Sequence, residues 1–270
     1  MTITNRVTIA FDRGVADVRL NRPDKLNALD LPMFEAIVAA ANQVRDANGV
    51  RAVVLSGVGR AFCAGIDMAM LATLESAAQR DRIAARSHGE ANIFQRVALA
   101  WRDLPVPVIA AVHGVAFGGG FQLMLGADMR YVAADAQLAV MEIRWGLAPD
   151  MAGTVLMRTL ARDDIVRELC YTGRIFSGCD ARDFGFATRV CADPRAEALS
   201  TARAIASNSP DAIRETKTLL GCAATRERGA QLLAESLAQN RLLEGRNHAE
   251  AVAASLAKRE SVFDDSVAGA

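Results

Sequence analysis

A run of three glycines between an apolar strand and an apolar helix constrains this 270-residue chain more than any other feature. The β-branched run 108–112 is typical of a buried strand, and 121–125 is typical of an apolar helix. Between them, Gly118, Gly119 and Gly120 predict a tight turn that opens the helix. Glycines let a ligand approach the main chain, and the first N–H groups of a helix have no partner within it. We therefore expect exposed backbone donors that can hold developing negative charge.

Two carboxylates follow this turn. Glu142 and Asp150 flank Gly146 and Pro149, in a segment too punctuated to form one regular helix. If both side chains face the glycine turn, the site combines an anion cradle with one or two proton carriers. Taken singly, each carboxylate is more often a surface group, and Asp150 is also a plausible N-cap of the next helix. The glycine turn alone could likewise serve only to pack a helix against a strand.

Composition excludes several classes of protein. A hydrophobic content of 51% and a charged content of 23% predict a folded chain with a large core. The 31 basic and 31 acidic side chains cancel, so bulk charge does not indicate a nucleic-acid or anionic-membrane surface. The five cysteines lack Cys-x-x-Cys spacing, which predicts reduced thiols and no structural zinc. No basic-then-apolar leader and no long apolar window is apparent, so we expect a cytoplasmic protein that does not enter a membrane.

Periodicity predicts an α/β protein in which strand, strand and helix recur. The predicted strands cover 7–11, 15–20, 52–55, 108–112, 129–133, 136–140 and 187–191. The predicted helices cover the stretch after the Asp30 cap, most of 68–101 with a break near Gly89, 121–125, 153–160, 164–171, 177–184 and nearly everything beyond 193. Leucine stripes on the last three helices are too extensive for those helices to bury alone, so we expect them to lie on the first domain or on another subunit.

Five stretches of the chain carry a resemblance to a known family. They are 21–29 with Asn-Arg-Pro and Asn-Ala-Leu, 62–67 with Phe-Cys-Ala-Gly-Ile-Asp, 113–120 with His-Gly and the glycine run, 133–153, and 258–263. Together they resemble the crotonase family, the enoyl-CoA hydratase/isomerase superfamily. The resemblance implies a crotonase-type spiral of ββα units over 1–205 with the acyl-CoA site. It also implies a C-terminal helical trimerisation region over 206–270 and a homotrimer or a dimer of trimers.

The resemblance also implies a function and a set of site residues. An acyl-CoA thioester oxygen would lie between the backbone N–H groups of Ile66 and Gly119, which stabilise a thioester enolate. Glu142 and Asp150 would be the catalytic residues. The resemblance implies neither a metal nor a redox cofactor, and coenzyme A enters only as part of the substrate. The implied substrate-binding residues are Lys25, Leu26, Ala28, Ala64, Gly65, Asp67, Met68, Gly118, Gln122, Lys258 and Phe263.

Gln122 bears on which reaction the chain catalyses. The resemblance implies that hydratases of the family have two glutamates in the site, the first of them shortly after the third glycine. In this chain that first position is Gln122, which exchanges no proton at neutral pH. The spacing from Glu142 to Asp150, with Gly-Leu-Ala-Pro between, resembles dienoyl-CoA isomerase, although that enzyme's pattern has an aspartate at the place of Gln122. We therefore expect proton movement along an unsaturated acyl chain. An enoyl-CoA hydratase of fatty-acid oxidation and a non-catalytic acyl-CoA-binding protein are the alternatives, and hydrolysis, decarboxylation and dehalogenation of acyl-CoAs also remain open.

Other polar residues have simpler interpretations. Cys63 has no nearby histidine in the sequence, so we expect buried filler and not a nucleophile. We expect His113 to be structural and Asp67 to serve as a loop or helix-capping residue. Gln122 is expected to be partly buried and to bond near the acyl chain. Within the resemblance, Lys25 and Lys258 would contact coenzyme A phosphates and Phe263 would cover the adenine, with ordinary solvated lysines as the alternative.

Overall fold

The computed structural model describes residues 6–265, and strands of two sheets form its centre. The strands are β1 (Val7–Asp12), β2 (Val15–Leu20), β3 (Ala52–Gly57), β4 (Val108–Val112), β5 (Val115–Phe117), β6 (Met129–Val132), β7 (Gln137–Ala139), β8 (Phe176–Ser177) and β9 (Arg189–Val190). The six-stranded sheet has the order β1-β2-β3-β4-β6-β9, and the three-stranded sheet has the order β5-β7-β8. Residues 1–5, on which the expectation about a leader partly rests, lie outside the described range.

The parallel pairing of the strands places the loops after β3 and β4 at the same end of the large sheet. β1 and β2 form the predicted antiparallel hairpin, with Val7 opposite Leu20. β2 to β3, β3 to β4, β4 to β6 and β6 to β9 are all parallel. Every residue of β3 and β4 is buried, as expected for strands covered on both faces. The carboxyl ends of these parallel strands meet at one edge, where the loops after β3 and β4 come together.

Helices cover the sheets and extend beyond them. They are α1 (Leu31–Asp46), α2 (Met68–Leu71), α3 (Ala77–Ala84), α4 (Ile93–Arg102), α5 (Gly119–Leu125), α6 (Gly153–Met157), α7 (Asp163–Thr172), α8 (Gly178–Phe184), α9 (Pro194–Ala206), α10 (Pro210–Cys222), α11 (Arg228–Leu243) and α12 (Arg246–Ala257). Two short 3-10 helices cover Pro23–Lys25 and Glu142–Trp145. The order β4, β5, α5, then β6 and β7, shows the strand, strand, helix alternation, although β5 itself was not among the predicted strands.

Helix α1 shows how the sequence directs one layer of the core. Asp30 caps it as predicted, because its Oδ1 accepts the Met33 N–H at 2.9 Å. Phe34 on the buried face packs edge to face against Phe94 of α4, with ring centroids 5.0 Å apart. Trp101 on the same helix α4 has no exposed surface. Fully burying one large apolar side chain of this kind contributes about 2–3 kcal/mol.

The segment between β3 and β4 differs from the sequence prediction. The stretch 68–101 was expected to be mostly helical with one break near Gly89, whereas α2, α3 and α4 are three separate helices. Ser76 starts α3 by accepting the Gln79 N–H, and Asn92 starts α4 through a capping box with Gln95. These residue types favour helix starts over helix interiors. The strand β5 was missed because three residues are too few for an alternating pattern.

Polar contacts attach helix α10 to the core of the chain. Lys217 of α10 donates to Asp128 Oδ2 and to the Val106 carbonyl oxygen, both at 2.8 Å. The leucine stripes of α10 to α12 remain unpartnered in one chain, as the sequence suggested. Their most exposed members are Leu220, Leu232, Leu233, Leu237, Leu243, Val252 and Leu256. The predicted division at residues 205 and 206 stays a prediction.

Candidate active site

Two loops meet at the carboxyl end of the sheet and pack backbone against backbone. Cys63 donates its N–H to the Val115 carbonyl oxygen at 3.0 Å, and Phe117 donates to the Cys63 carbonyl oxygen at 3.1 Å. A Cβ atom placed on Gly65 would lie 3.6 Å from the Gly119 nitrogen. The loop after β3 and the turn before α5 are therefore joined along their main chains.

Each of these loops leaves one amide unused. The peptides on both sides of Ile66 bond to Leu29, because Leu29 donates to the Gly65 carbonyl at 2.7 Å and Asp67 donates to the Leu29 carbonyl at 2.9 Å. The Ile66 N–H consequently points away from Leu29. Gly119 is the first residue of α5, so its N–H has no partner in the helix. Within residues 6–265 neither N–H donates a hydrogen bond, and both residues line one pocket.

Glu142 places a carboxylate beside this pair of amides. A Cβ atom on Gly118 would lie 3.2 Å from Glu142 Oε1, so the carboxylate lies directly over the glycine turn. Oε1 accepts a 2.6 Å hydrogen bond from Gln122 Nε2, whereas the buried Oε2 has no partner. Burial raises the pKa of Glu142 above its ordinary value, and the nearby charge of Asp150 raises it further. Glu142 lines the pocket, so its carboxyl group can exchange a proton with a group bound there.

Asp150 lines the same pocket and reaches water through its opening. Desolvation by the surrounding protein nevertheless raises the pKa of this carboxyl. The structure thus brings Glu142, Asp150, Ile66 and Gly119 to one pocket, as the sequence predicted.

Gln122 lies beneath this pocket and not on its wall. Its side chain has no exposed surface. Its Oε1 accepts the Met151 N–H at 2.9 Å and the Gly153 N–H at 3.0 Å, while Nε2 donates to Glu142. Gln122 was expected to be only partly buried and to bond near the acyl chain. Its contact with substrate stays a prediction, and the structure shows it bonded within the protein instead.

The pocket has a volume of about 330 Å³ and mainly apolar walls. The side chains that make it apolar come chiefly from the described segments 66–94 and 141–151. They are Phe34, Ile66, Met68, Met70, Leu74, Ile83, Phe94, Phe117, Met141, Trp145, Leu147 and Met151. Four methionines give the wall adaptable, polarizable surface. An apolar chain fits such a cavity, with its polar end toward the amides and carboxylates.

The remaining predicted binding residues fall into two groups. Ala64, Gly65, Met68 and Gly118 line the pocket. Asp67 does not, and the structure confirms its predicted capping role, since its Oδ1 accepts the Ala69 N–H at 2.8 Å.

Leu26 and Ala28 act through their main chains in the structure. The Leu26 carbonyl oxygen accepts the Ala64 N–H at 2.9 Å, and the Ala28 carbonyl oxygen accepts Arg22 Nη1 at 3.1 Å. The loop 21–29 is thereby bonded to the loop after β3. Their contacts with substrate stay predictions.

The proposed coenzyme A contacts lie outside the pocket within one chain. Lys25 is exposed on its short 3-10 helix, and Lys258 ends α12 in a left-handed conformation with φ of 52°. The Phe263 carbonyl oxygen accepts a 2.9 Å bond from Arg51, which directly precedes β3 and so lies at the opposite end of that strand from the pocket. Roles for these three residues in binding coenzyme A stay predictions.

Two residues with reactive side chains are structural. Cys63 is fully buried and donates through Sγ to the Asn27 carbonyl oxygen at 3.2 Å, and burial raises the pKa of its thiol to about 12. His113 Nε2 lies 2.9 Å from the Gly59 carbonyl oxygen. Both expectations from the sequence are confirmed, since neither group lines the pocket.

Asn27 is an important residue for which the sequence analysis gave no role. It is fully buried at φ of 57°, a conformation that asparagine adopts more readily than most residues. Its Oδ1 accepts the Arg22 N–H at 2.8 Å, and its Nδ2 donates to Val58 and Ala61 at 3.0 and 2.9 Å. Asn27 therefore fixes the loop after β3. The turn signal of the preceding Pro-Asp-Lys could have identified it.

In residues 6–265, no group of three His, Cys, Asp or Glu side chains is placed to hold a metal ion. No helix in that range is long and apolar enough to cross a bilayer.

Comparisons with known proteins give a consistent result. A family model described as enoyl-CoA hydratase/isomerase matches residues 10–266. Human mitochondrial Delta(3,5)-Delta(2,4)-dienoyl-CoA isomerase is 38% identical over 224 residues, which cover 80% of this chain and 67% of that protein. A probable enoyl-CoA hydratase of Bacillus subtilis is 28% identical over 263 residues, 96% of this chain and 98% of that one. The crystal structure of an enoyl-CoA hydratase from Bacillus anthracis superposes with a TM-score of 0.88 at 27% identity, covering 96% of this chain and 99% of the other.

Proposed function

Because the chain belongs to the enoyl-CoA hydratase/isomerase family, we propose that it is an isomerase that moves a proton along an unsaturated acyl-CoA, in the manner of a dienoyl-CoA isomerase. The family, its enzymatic nature and the crotonase fold were predicted from the sequence, and the comparisons confirm all three. One observation supports the specific activity. Glu142 and Asp150 line the pocket beside the two free amides, while the third polar position near them holds the amide of Gln122.

The two free amides stabilise charge in the proposed reaction. The thioester carbonyl oxygen would accept the Ile66 and Gly119 N–H groups. Removing a proton from the carbon next to the carbonyl places negative charge on that oxygen as an enolate. Donors that strengthen as this charge develops lower the barrier, and losing one comparable donor costs about 3 kcal/mol.

The two carboxyl groups move the proton. For a 3,5-dienoyl chain, one ionised carboxylate takes a proton from C2, and the double bonds shift to the 2,4 positions. The other carboxyl group, protonated, gives a proton to C6, so that the product has the composition of the substrate. The raised pKa values of Glu142 and Asp150 suit this exchange, because each group can carry a proton closer to neutral pH than an exposed carboxyl can.

Enoyl-CoA hydratase is the second candidate, supported by the names of several relatives and solved structures. Activating water between two carboxylates would need a proton carrier at position 122. Gln122 has an amide there, and both its oxygen and one amino hydrogen are bonded within the protein. This favours isomerisation over hydration. A non-catalytic acyl-CoA-binding protein is the third candidate, and the unpartnered Glu142 Oε2 argues against it.

Absorbance spectroscopy distinguishes these candidates. An isomerase converts a 3,5-dienoyl-CoA into the conjugated 2,4-dienoyl thioester, so the absorbance of the conjugated product rises. A hydratase adds water to a 2-enoyl-CoA, so the absorbance of the enoyl thioester falls. We expect the first change to be much the faster. Glu142→Gln and Asp150→Asn should each lower kcat by about 100-fold or more. The exposed Asp183→Asn, which makes the same chemical change at a surface ion pair, should leave kcat unchanged. Full activity in both active-site variants, or hydration alone in the native enzyme, would overturn the proposal.

The setting of the enzyme is also part of the proposal. We propose that it acts in the cytoplasm on acyl-CoAs of fatty-acid β-oxidation, without a metal or redox cofactor. Retention of activity after dialysis against a chelator tests the absence of a metal requirement. The exposed leucine faces of α10 to α12 support self-association as a homotrimer or a dimer of trimers.

A further inference from the structure

The orientation of the Gln122 side-chain amide is dictated by the main chain around it. Two backbone N–H groups, those of Met151 and Gly153, converge on its oxygen at 2.9 and 3.0 Å. An amide oxygen accepts and an amide nitrogen donates, so the nitrogen must occupy the other position. That nitrogen is the one that lies 2.6 Å from Glu142 Oε1. Gln122 can therefore present only a donor to Glu142.

The loop that receives the Gln122 oxygen is shaped to fit it. Ala152, between the two donating residues, has a left-handed conformation with φ of 64°. This turns the N–H groups on either side of it toward one point, the kind of backbone concavity that binds anions. A Cβ atom on Gly153 would lie only 2.4 Å from the Gln122 oxygen, so a side chain at Gly153 would displace the amide. The Met151 nitrogen belongs to the peptide bond that follows Asp150.

We propose that Gln122 is the positioning residue of this site, a buried amide that holds the Glu142 carboxylate at one end and the peptide after Asp150 at the other. It thereby sets the separation of the two carboxyl groups and holds Glu142 Oε1, leaving Oε2 without a hydrogen-bond partner. Both contacts are made by groups that lack freedom to rearrange, since Gln122 is fully buried on α5. The geometric inference stands on the ligand-free protein, and only its kinetic readout rests on the proposed isomerase activity.

Gln122 also controls the protonation of Glu142. Its hydrogen bond lowers the pKa of Glu142 and so opposes the larger effect of burial. Substituting glutamate would keep an oxygen in the backbone concavity but would place a second carboxylate oxygen against Glu142 Oε1. Two carboxyl groups in hydrogen-bonding contact share one proton, and the pKa for removing that proton rises. The other titratable groups near Glu142 are Asp150 and Cys170 of α7, and both residues are retained in the variant.

The test is a titration of the ligand-free protein by NMR with glutamate and glutamine side chains labelled at the carboxyl and carboxamide carbon. We compare the native protein with Gln122→Glu and Glu142→Gln. The Glu142→Gln variant assigns the Glu142 signal, because that signal is missing from its spectrum. In Gln122→Glu we expect the shared proton to leave at a pH higher by about one unit or more than for native Glu142. The acidic limb of kcat/KM for the dienoyl-CoA should move to higher pH by a similar amount. The exposed Gln137→Glu adds the same charge away from the site and should move neither.

The outcomes separate this inference from the proposed function. An unchanged Glu142 titration in folded Gln122→Glu, with thermal unfolding used to verify folding, would overturn the positioning role whatever the enzyme does. A shifted titration in a protein that does not isomerise dienoyl-CoAs would support the positioning role and remove the proposed function. If Gln122→Glu does not fold, Gln122→Asn replaces it, because the shorter amide cannot span both contacts. It should then raise the pKa of Glu142 in the ligand-free protein, because the hydrogen bond that lowers that pKa is lost, and an unchanged Glu142 titration would overturn the inference.

Discussion

A Cβ atom on Gly65 would lie 2.5 Å from the carbonyl oxygen of Phe117, closer than any real side chain can approach. Gly65 also has φ of 87°, a conformation that residues with side chains rarely adopt. The two loops that supply the Ile66 and Gly119 donors can therefore meet only because position 65 carries no side chain. The spacing of the two donors depends on that contact.

Gly65→Ala should separate the two loops and displace the Ile66 N–H. Because a donor that misses the oxyanion stabilises it poorly, kcat/KM should fall by about 10²- to 10³-fold. Steady-state kinetics with the dienoyl-CoA measures the loss. Gly89→Ala is the matched control, since Gly89 has φ of 70° with nothing within 4 Å of the added atom. If both variants lose activity equally, backbone strain and not loop separation is the cause.

Glu142→Gln should make the folded protein more stable at neutral pH. Burial raises the pKa of Glu142 in the folded state, so the unfolded chain ionises first and stability falls as pH rises from the unfolded to the folded value. The penalty is complete above the folded pKa and absent below about pH 4, where the unfolded carboxyl is also protonated. The melting temperature of the variant should therefore exceed that of the native protein at about pH 7.5, and the gain should vanish at about pH 4. A variant less stable at both pH values would contradict this.

Lys217→Met should weaken the attachment of α10 to the sheet. It leaves Asp128 without its largely buried partner, and breaking such a pair should lower the free energy of unfolding by about 2–3 kcal/mol. Urea unfolding measures the change. Adding Asp128→Asn should recover part of it, because an amide oxygen still accepts the Val108 N–H that Asp128 now accepts at 2.8 Å. Loss of the exposed Arg241–Glu215 pair should have little effect.

Leu233→Glu should interfere with self-association. The Leu233 side chain is 60% exposed on α11 within one chain, so the substitution costs the isolated chain little while placing a charge in the proposed interface. Sedimentation should show native protein as trimers or larger and the variant as smaller species. Phe11→Glu, a change at another half-exposed apolar residue on the edge strand β1, is the control. A native protein that sediments as a monomer would remove the proposed assembly.

The sequence predicted the parts of the fold that depend on local patterns. The hairpin of β1 and β2, the Asp30 cap of α1 and the buried strand β4 each leave a signal in adjacent residues. The three separate helices in 68–102 were not predicted, since their breaks are set by the caps at Ser76 and Asn92.

The site was predictable in its residues but not in its connections. Glu142 and Asp150 were identified from their place in the chain. The contact of Gln122 with the peptides of Met151 and Gly153 joins positions 29 and 31 residues apart, and no pattern of neighbouring residues encodes it. Similarly, the role of Asn27 depends on two carbonyl groups more than 30 residues away.

The buried amide of Gln122 has a consequence for how such a site could change. Glutamine and glutamate codons differ at a single base, and a backbone concavity that already holds one oxygen can hold the oxygen of either side chain. A site with glutamate at position 122 and this one are thus neighbours in mutational space. One genetic step would therefore place a third carboxyl group beside Glu142 and Asp150, with the surrounding chain left as it stands.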